Sequence, residues 1–296
     1  MASAEFEAMR ELLVAAGRME GADVLEARAA MEEMLGGLPP AEGTTFEQVE
    51  VRGRPALWVR PAELDPGATV LYLHGGAYRI GSPQAYRSVV SHYAVALRAP
   101  ALLLDYRLAP EHPFPAAVDD AVAAVHWLAE QGVPSDELIV MGDSAGGGLT
   151  AATLVALRDQ GDAQPRSAVC LSPWADLTLT AGAYERFGDV DPVFGLEQAR
   201  RAVDEYLVDN DPTHPLASPA LADLSGLAPV LVQASACEVL TDDATRLAAG
   251  IEAAGGVVEL DLWPEMIHVF QAMTPGVPEA VEAVERIAAF VRSHPA

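Results

Sequence analysis

The chain has 296 residues, 51% of them hydrophobic, which suits one large α/β domain with a sizeable core or two small domains. Eighteen Lys and Arg against 43 Asp and Glu leave a net charge of −25, which disfavours nucleic acid or an anionic membrane as partner. No apolar run approaches the ~20 residues of a membrane span, no Lys is present for Schiff-base chemistry, and the two cysteines, Cys170 and Cys237, suggest no disulfide framework. Every cation is Arg and Asn210 is the only Asn, which fits a GC-rich genome; a high-salt habitat is the rival reading of so acidic a surface. The N-terminus carries acids and no basic stretch ahead of an apolar one, so it does not read as a secretory signal, and a cytoplasmic protein with free thiols is expected. Apolar residues at helical spacing (Phe6, Met9, Leu12, Leu13, Ala16) predict a helix over residues 4–16. A second is predicted over 22–35, ended by Gly36-Gly37 and Pro39-Pro40. Residues 46–52 and 56–60, joined by Gly53-Arg54-Pro55, read as an antiparallel hairpin.

From there short apolar strands alternate with helical stretches: 69–73, 101–104, 138–140, 168–171, 230–232 and 257–262. Continuous apolar runs alternating with helices imply a mostly parallel sheet flanked by helices, the α/β class. Residues 178–227 interrupt the rhythm. They are acidic, hold Tyr184, Phe187, Phe194 and Tyr206, and contain no clear strand. One domain is expected, with a core over about 45–177 and 228–296. A helical cap would be drawn from 178–227 and the N-terminal 1–40.

The stretch Met141-Gly142-Asp143-Ser144-Ala145-Gly146 directly follows an apolar strand. A serine flanked by glycines there fits a nucleophile elbow, in which a strained strand-to-helix turn presents the hydroxyl. Ligands of open parallel sheets bind beyond the carboxyl ends of the strands, so partners are sought there. After strand 69–73 comes His74-Gly75-Gly76-Ala77, where backbone N–H groups of Gly75, Gly76 and Ala77 could face an oxyanion, with Ala145 N–H beside the serine. The base must be a histidine beyond Ser144. His294 lies in the terminal three residues and His214 follows no strand, which leaves His268, just past the last strand. The acid should follow strand 230–232. Glu238 is favoured over Asp242, because Asp242 and Asp243 would sit in a first helical turn behind an N-capping Thr241, stabilised by the helix dipole without any catalytic role.

Together these residues resemble the hormone-sensitive-lipase family of α/β-hydrolases, in its bacterial carboxylesterase branch. The resemblance runs from about Val70 to Phe270. It rests on His74-Gly75-Gly76-Ala77, on Asp105-Tyr106-Arg107-Leu108-Ala109-Pro110-Glu111 with Pro113-Phe114-Pro115, on Gly142-Asp143-Ser144-Ala145-Gly146, on Ser172-Pro173-Trp174-Ala175-Asp176-Leu177 and on His268. It implies the α/β-hydrolase fold, hydrolysis of small carboxylic esters without metal or cofactor, a cap over the acyl pocket and frequent dimers. Two positions depart from the family pattern. Ala77 stands where a third glycine is usual, which keeps the N–H but makes φ > 0 costly. Glu238-Val239-Leu240-Thr241-Asp242 replaces the usual Asp-Pro-Leu-x-Asp, a variant that resembles lactone and short-ester hydrolases. The reading is a serine esterase with Ser144, Glu238 and His268 as triad. The alternatives are a small-molecule receptor on the same fold and a true lipase.

Overall fold

The computed structural model describes residues 2–18, 21–65 and 67–295. Among these residues eight strands form one sheet: β1 (Thr45–Val51), β2 (Arg54–Arg60), β3 (Thr69–Leu73), β4 (Ala101–Leu104), β5 (Leu138–Asp143), β6 (Ser167–Leu171), β7 (Val230–Ser235) and β8 (Val258–Trp263). Their order is β1-β2-β4-β3-β5-β6-β7-β8. β1 and β2 form the expected antiparallel hairpin, β2 runs antiparallel to β4, and every later pairing is parallel. The helices are α1 (Ala4–Ala16), α2 (Val24–Gly36), α3 (Pro83–Leu97), α4 (Ala116–Glu130), α5 (Ala145–Gln160), α6 (Ala183–Phe187), α7 (Leu196–Leu207), α8 (Thr241–Ala253) and α9 (Pro278–Ser293).

Strands β3 to β7 are buried along their whole length, which is why they read as unbroken apolar runs. Alternate side chains serve the two layers. Val70 and Tyr72 pack with α3 and α9, whereas Leu71 and Leu73 pack with α4 and α5. α8 joins the α5 side, over Ala168, Cys170, Val230 and Val232. β8 lies at the edge of the sheet, beside β7, and departs from the expected buried run: Glu259, Leu260 and Leu262 are exposed. β5 and β7 each run three residues longer than their apolar cores, through Met141-Gly142-Asp143 and Gln233-Ala234-Ser235.

Residues 178–227 hold α6, α7 and a short 3₁₀ turn, and no strand. Among the described residues no helix is long and apolar enough to cross a membrane. The N-terminal helices divide their contacts. α2 packs on α3, while Phe6 of α1 is buried with Trp263, Phe270 and Ala280 near the C-terminus.

Candidate active site

Ser144 sits between β5 and α5 with φ 53° and ψ −121°, a region L-residues rarely occupy. The turn is closed by main chain. Ser144 N–H donates to Leu171 O (2.8 Å), and Ser144 O accepts from Trp174 N–H (2.9 Å). The following turn of α5 lies so close to β3 that a Cβ on Gly146 would stand 1.9 Å from Leu73 O. No other residue type fits there.

His268 follows β8 on a loop, and its Nε2 lies 2.9 Å from Ser144 Oγ. On the other side of the ring, Nδ1 is 3.6 Å from Glu238 Oε2, an ion-pair distance rather than a hydrogen bond. Both side chains are buried. The loop after β7 delivers Glu238, and Ser172, at the end of β6, braces it. Ser172 Oγ donates to Glu238 Oε2 (2.8 Å) and accepts from Val269 N–H (3.1 Å), so one hydroxyl ties the acid to the histidine loop. Burial works against the charged imidazole, but the Glu238 carboxylate, with Asp191 and Asp143, outweighs burial and holds the His268 pKa above its ordinary value. The Glu238 carboxyl is itself pushed up by burial.

Asp242 goes elsewhere. It accepts from Ala183 N–H (2.9 Å) and pairs with Arg186, so it holds α6 and does not reach His268. Asp243 accepts from the N–H groups of Ala175 and Asp176. The N-cap of α8 is Leu240 rather than Thr241, whose hydroxyl donates instead to the carbonyls of Ser235 and Glu238.

The loop after β3 bends sharply. Gly76 has φ 116°, and Ala77 and Tyr78 follow at 55° and 61°. Ala77 thus takes the strained conformation its side chain makes costly. Tyr78 is pinned by stacking on Tyr206 of α7, with centroids 4.0 Å apart and rings 2° from parallel, and by Ala109 N–H donating to its carbonyl (2.8 Å). Among the described residues, the backbone N–H groups of Gly76, Ala77 and Ala145 have no protein acceptor. Gly75 must be removed from that set. Its N–H donates to Asp143 Oδ1 (3.0 Å), and the same buried carboxylate accepts from Tyr72 and Tyr86 hydroxyls. Burial raises the Asp143 pKa against the pull of these three donors. His74 is also structural. It stacks on Tyr106 (4.4 Å), whose hydroxyl donates to His74 O, and burial pushes its pKa down to about 4.

Over the histidine lies Phe194, from residues 178–227, stacked at 5.8 Å and 24°. Trp174 packs edge-on to Phe194 (5.5 Å). A separate cavity of about 590 Å³ is lined by Arg10, Arg186, Phe187, Cys237, Met266 and Ile267, among others. It borders the loops that carry Glu238 and His268 without touching either residue. Among the described residues no group of three or more His, Cys, Asp or Glu is placed to hold a metal ion.

Sequence reasoning passed over Asp143, Ser172, Asp191 and Phe194. Asp143 had a signal, a carboxylate at the end of a fully buried strand. Ser172 lay inside a motif already singled out. Phe194 was legible only as one of the aromatics of residues 178–227, and Asp191 gave no signal, because its partner Val239 lies far away along the chain.

Comparison with known proteins places the chain among ester hydrolases. The profile of a family described by its alpha/beta hydrolase fold matches residues 70–272. An acetyl-hydrolase of Streptomyces hygroscopicus is 44% identical over 298 residues, covering 99% of this chain and 98% of the relative. A crystal structure of an esterase/lipase from an uncultured bacterium superposes with a TM-score of 0.94 at 42% identity, covering 99% of both chains. An esterase from the bacterial hormone-sensitive lipase family gives a TM-score of 0.95 at 40% identity, with both chains fully covered.

Proposed function

We propose, for a chain that belongs to the hormone-sensitive-lipase family of α/β-hydrolases and is a carboxylic ester hydrolase, that hydrolysis runs through an acyl-enzyme on Ser144. The observation that carries the proposal is the 2.9 Å contact between His268 Nε2 and the hydroxyl of a serine held at positive φ. His268 takes the Ser144 proton as Oγ bonds to the ester carbonyl carbon. The carbonyl oxygen becomes an oxyanion, and the unpaired N–H groups of Gly76, Ala77 and Ala145 are the donors available to it. Collapse expels the alcohol, which receives the proton from His268 and leaves the acyl group on Ser144. Water then gives a proton to His268 and attacks the acyl carbon, and a second collapse releases the carboxylic acid and restores the serine. Glu238, 3.6 Å from Nδ1, orients the ring and stabilises its charged form.

Short acyl chains are the substrates that the surroundings favour. Phe194 lies over His268 and packs edge-on against Trp174, so the approach to the histidine is bounded by aromatic rings. The similarity to an acetyl-hydrolase points the same way. A small lactone would open by the same steps, its alcohol staying tethered to the acyl group.

Turnover of p-nitrophenyl butyrate by Ser144→Ala tests the proposal. The variant should lose on the order of 10⁶ in kcat while remaining folded. Undiminished turnover would refute it. Across p-nitrophenyl esters from acetyl to palmitoyl, rates should fall with chain length, and faster palmitoyl than butyryl turnover would refute the short-acyl reading.

A further inference from the structure

Asp191 lies between α6 and α7 and is 1% exposed. Its Oδ1 accepts from the N–H groups of Val193 (3.0 Å) and Phe194 (3.3 Å), a local turn of the kind Asp commonly makes. Asp211 and Asp223 make the same turn, to Thr213 and Ser225, and both are exposed. A turn alone therefore gives no reason to bury a carboxylate, and burial of an anion is costly. The second oxygen supplies the difference. Asp191 Oδ2 accepts from Val239 N–H (3.3 Å), the residue after Glu238. One buried side chain thus joins the strip that lays Phe194 on His268 to the loop that carries Glu238.

We propose that Asp191 is a positioning residue for the His268–Glu238 pair, holding the Glu238 loop and the Phe194 ring in register from the segment above them. The proposal rests on the reading of Glu238 and His268 given above. Glu238 needs such help. Among the described residues its Oε1 has no hydrogen-bond partner, and Oε2 accepts a hydrogen bond from Ser172 and faces His268 Nδ1 at 3.6 Å. Three carboxylates act on the imidazole: Glu238 from the loop after β7, Asp191 from the segment above and Asp143 from the end of β5. Asp191 therefore also adds charge that favours imidazolium, the form His268 passes through in each half-reaction.

A double-mutant cycle with Glu238→Gln tests this. Asp191→Asn keeps the shape and the turn acceptor but sets an amide N–H₂ against Val239 N–H and removes the charge. It should lower kcat by about 10²-fold with KM little changed, as a small misplacement of a reacting group does. The acid limb of its pH profile should move to lower pH, because His268 loses a neighbouring anion. Asp191→Ser keeps a turn acceptor that cannot reach Val239, and should behave alike if the Asn variant folds poorly. In the Glu238→Gln background either substitution should cost only a small further factor, since the group it positions has already lost its charge. Multiplicative losses in the cycle would overturn the proposal alone. So would a lowered melting temperature with kcat and the acid limb unchanged. Full activity in Glu238→Gln by itself would overturn the Glu238 reading and this proposal with it.

Discussion

Ser144 and His268 meet at 2.9 Å but are held by different means. At the serine end the constraint is main chain. A residue at positive φ is fixed by backbone hydrogen bonds to Leu171 and Trp174, and Gly146 lies against β3 with no room for a methyl group. At the histidine end the constraint is side chain. Ser172 braces Glu238, Phe194 covers the imidazole, and Asp191 joins their two segments. Main-chain constraint tolerates almost no substitution but costs no buried charge. Side-chain constraint buries carboxylates and can be dismantled piece by piece. Side chains added to the main chain around the serine, as at Gly146, should therefore fail by unfolding, whereas the histidine end should fail by losing rate while the fold persists.

The largest effect expected at the histidine end is from Glu238→Gln. Changing a triad acid to its amide lowers turnover by about 10⁴ in a well-studied case. Here the fold should survive, because the substitution removes an incompletely partnered buried carboxylate. A melting temperature no lower than wild type, with kcat down by orders of magnitude, sharpens the contrast; a collapsed melting temperature breaks it. Gly146→Ala is the counterpart at the serine end. With Cβ 1.9 Å from Leu73 O, the backbone must move, and the loss should exceed about 4 kcal/mol in chemical denaturation. A stable, active Ala variant would show that the turn is looser than its geometry implies.

A third expectation follows from the carboxylates around His268. They hold its pKa above 6.5, and a histidine in the proposed role of base works only when neutral. Activity should therefore fall as pH drops through a midpoint above 6.5, read from kcat/KM, which reports the free enzyme. A midpoint below 6.5 would mean that burial outweighs the neighbouring charges. The smallest effect belongs to Asp242→Asn. Asp242 binds Ala183 N–H and Arg186 rather than His268. Loss of a charge in the first turn of α8 should cost about 0.3–1 kcal/mol of stability and leave kcat near wild type. A dead Asp242→Asn enzyme would exchange the roles assigned to Asp242 and Glu238.

The same division decides what could be read in advance. β3 and β4 were legible to the residue, since a strand buried on both faces leaves a bare apolar run bounded by turn residues. β8 was not legible as an edge, because Val257 and Leu260 read as core until the sheet order is known. Ser144 announces itself through its glycines, a local consequence of a local constraint. His268 and Glu238 could be picked out by chain order and by place after a strand. Gly75 misled, because a free N–H and one bound to Asp143 look alike in sequence. Asp191 left no trace. Its contact with Val239 spans 48 positions and uses an aspartate whose neighbours, Val190 and Pro192, read as an ordinary loop.

Covalent labelling of the native enzyme with an organophosphate, followed by peptide mapping, tests most directly whether the two ends form one working site. A single phosphoryl group should appear on Ser144, at a rate that falls in step with ester turnover in Glu238→Gln and Asp191→Asn, and no other residue should be labelled. A label on a different serine, or labelling of Ser144 at an undiminished rate in both variants, would contradict it.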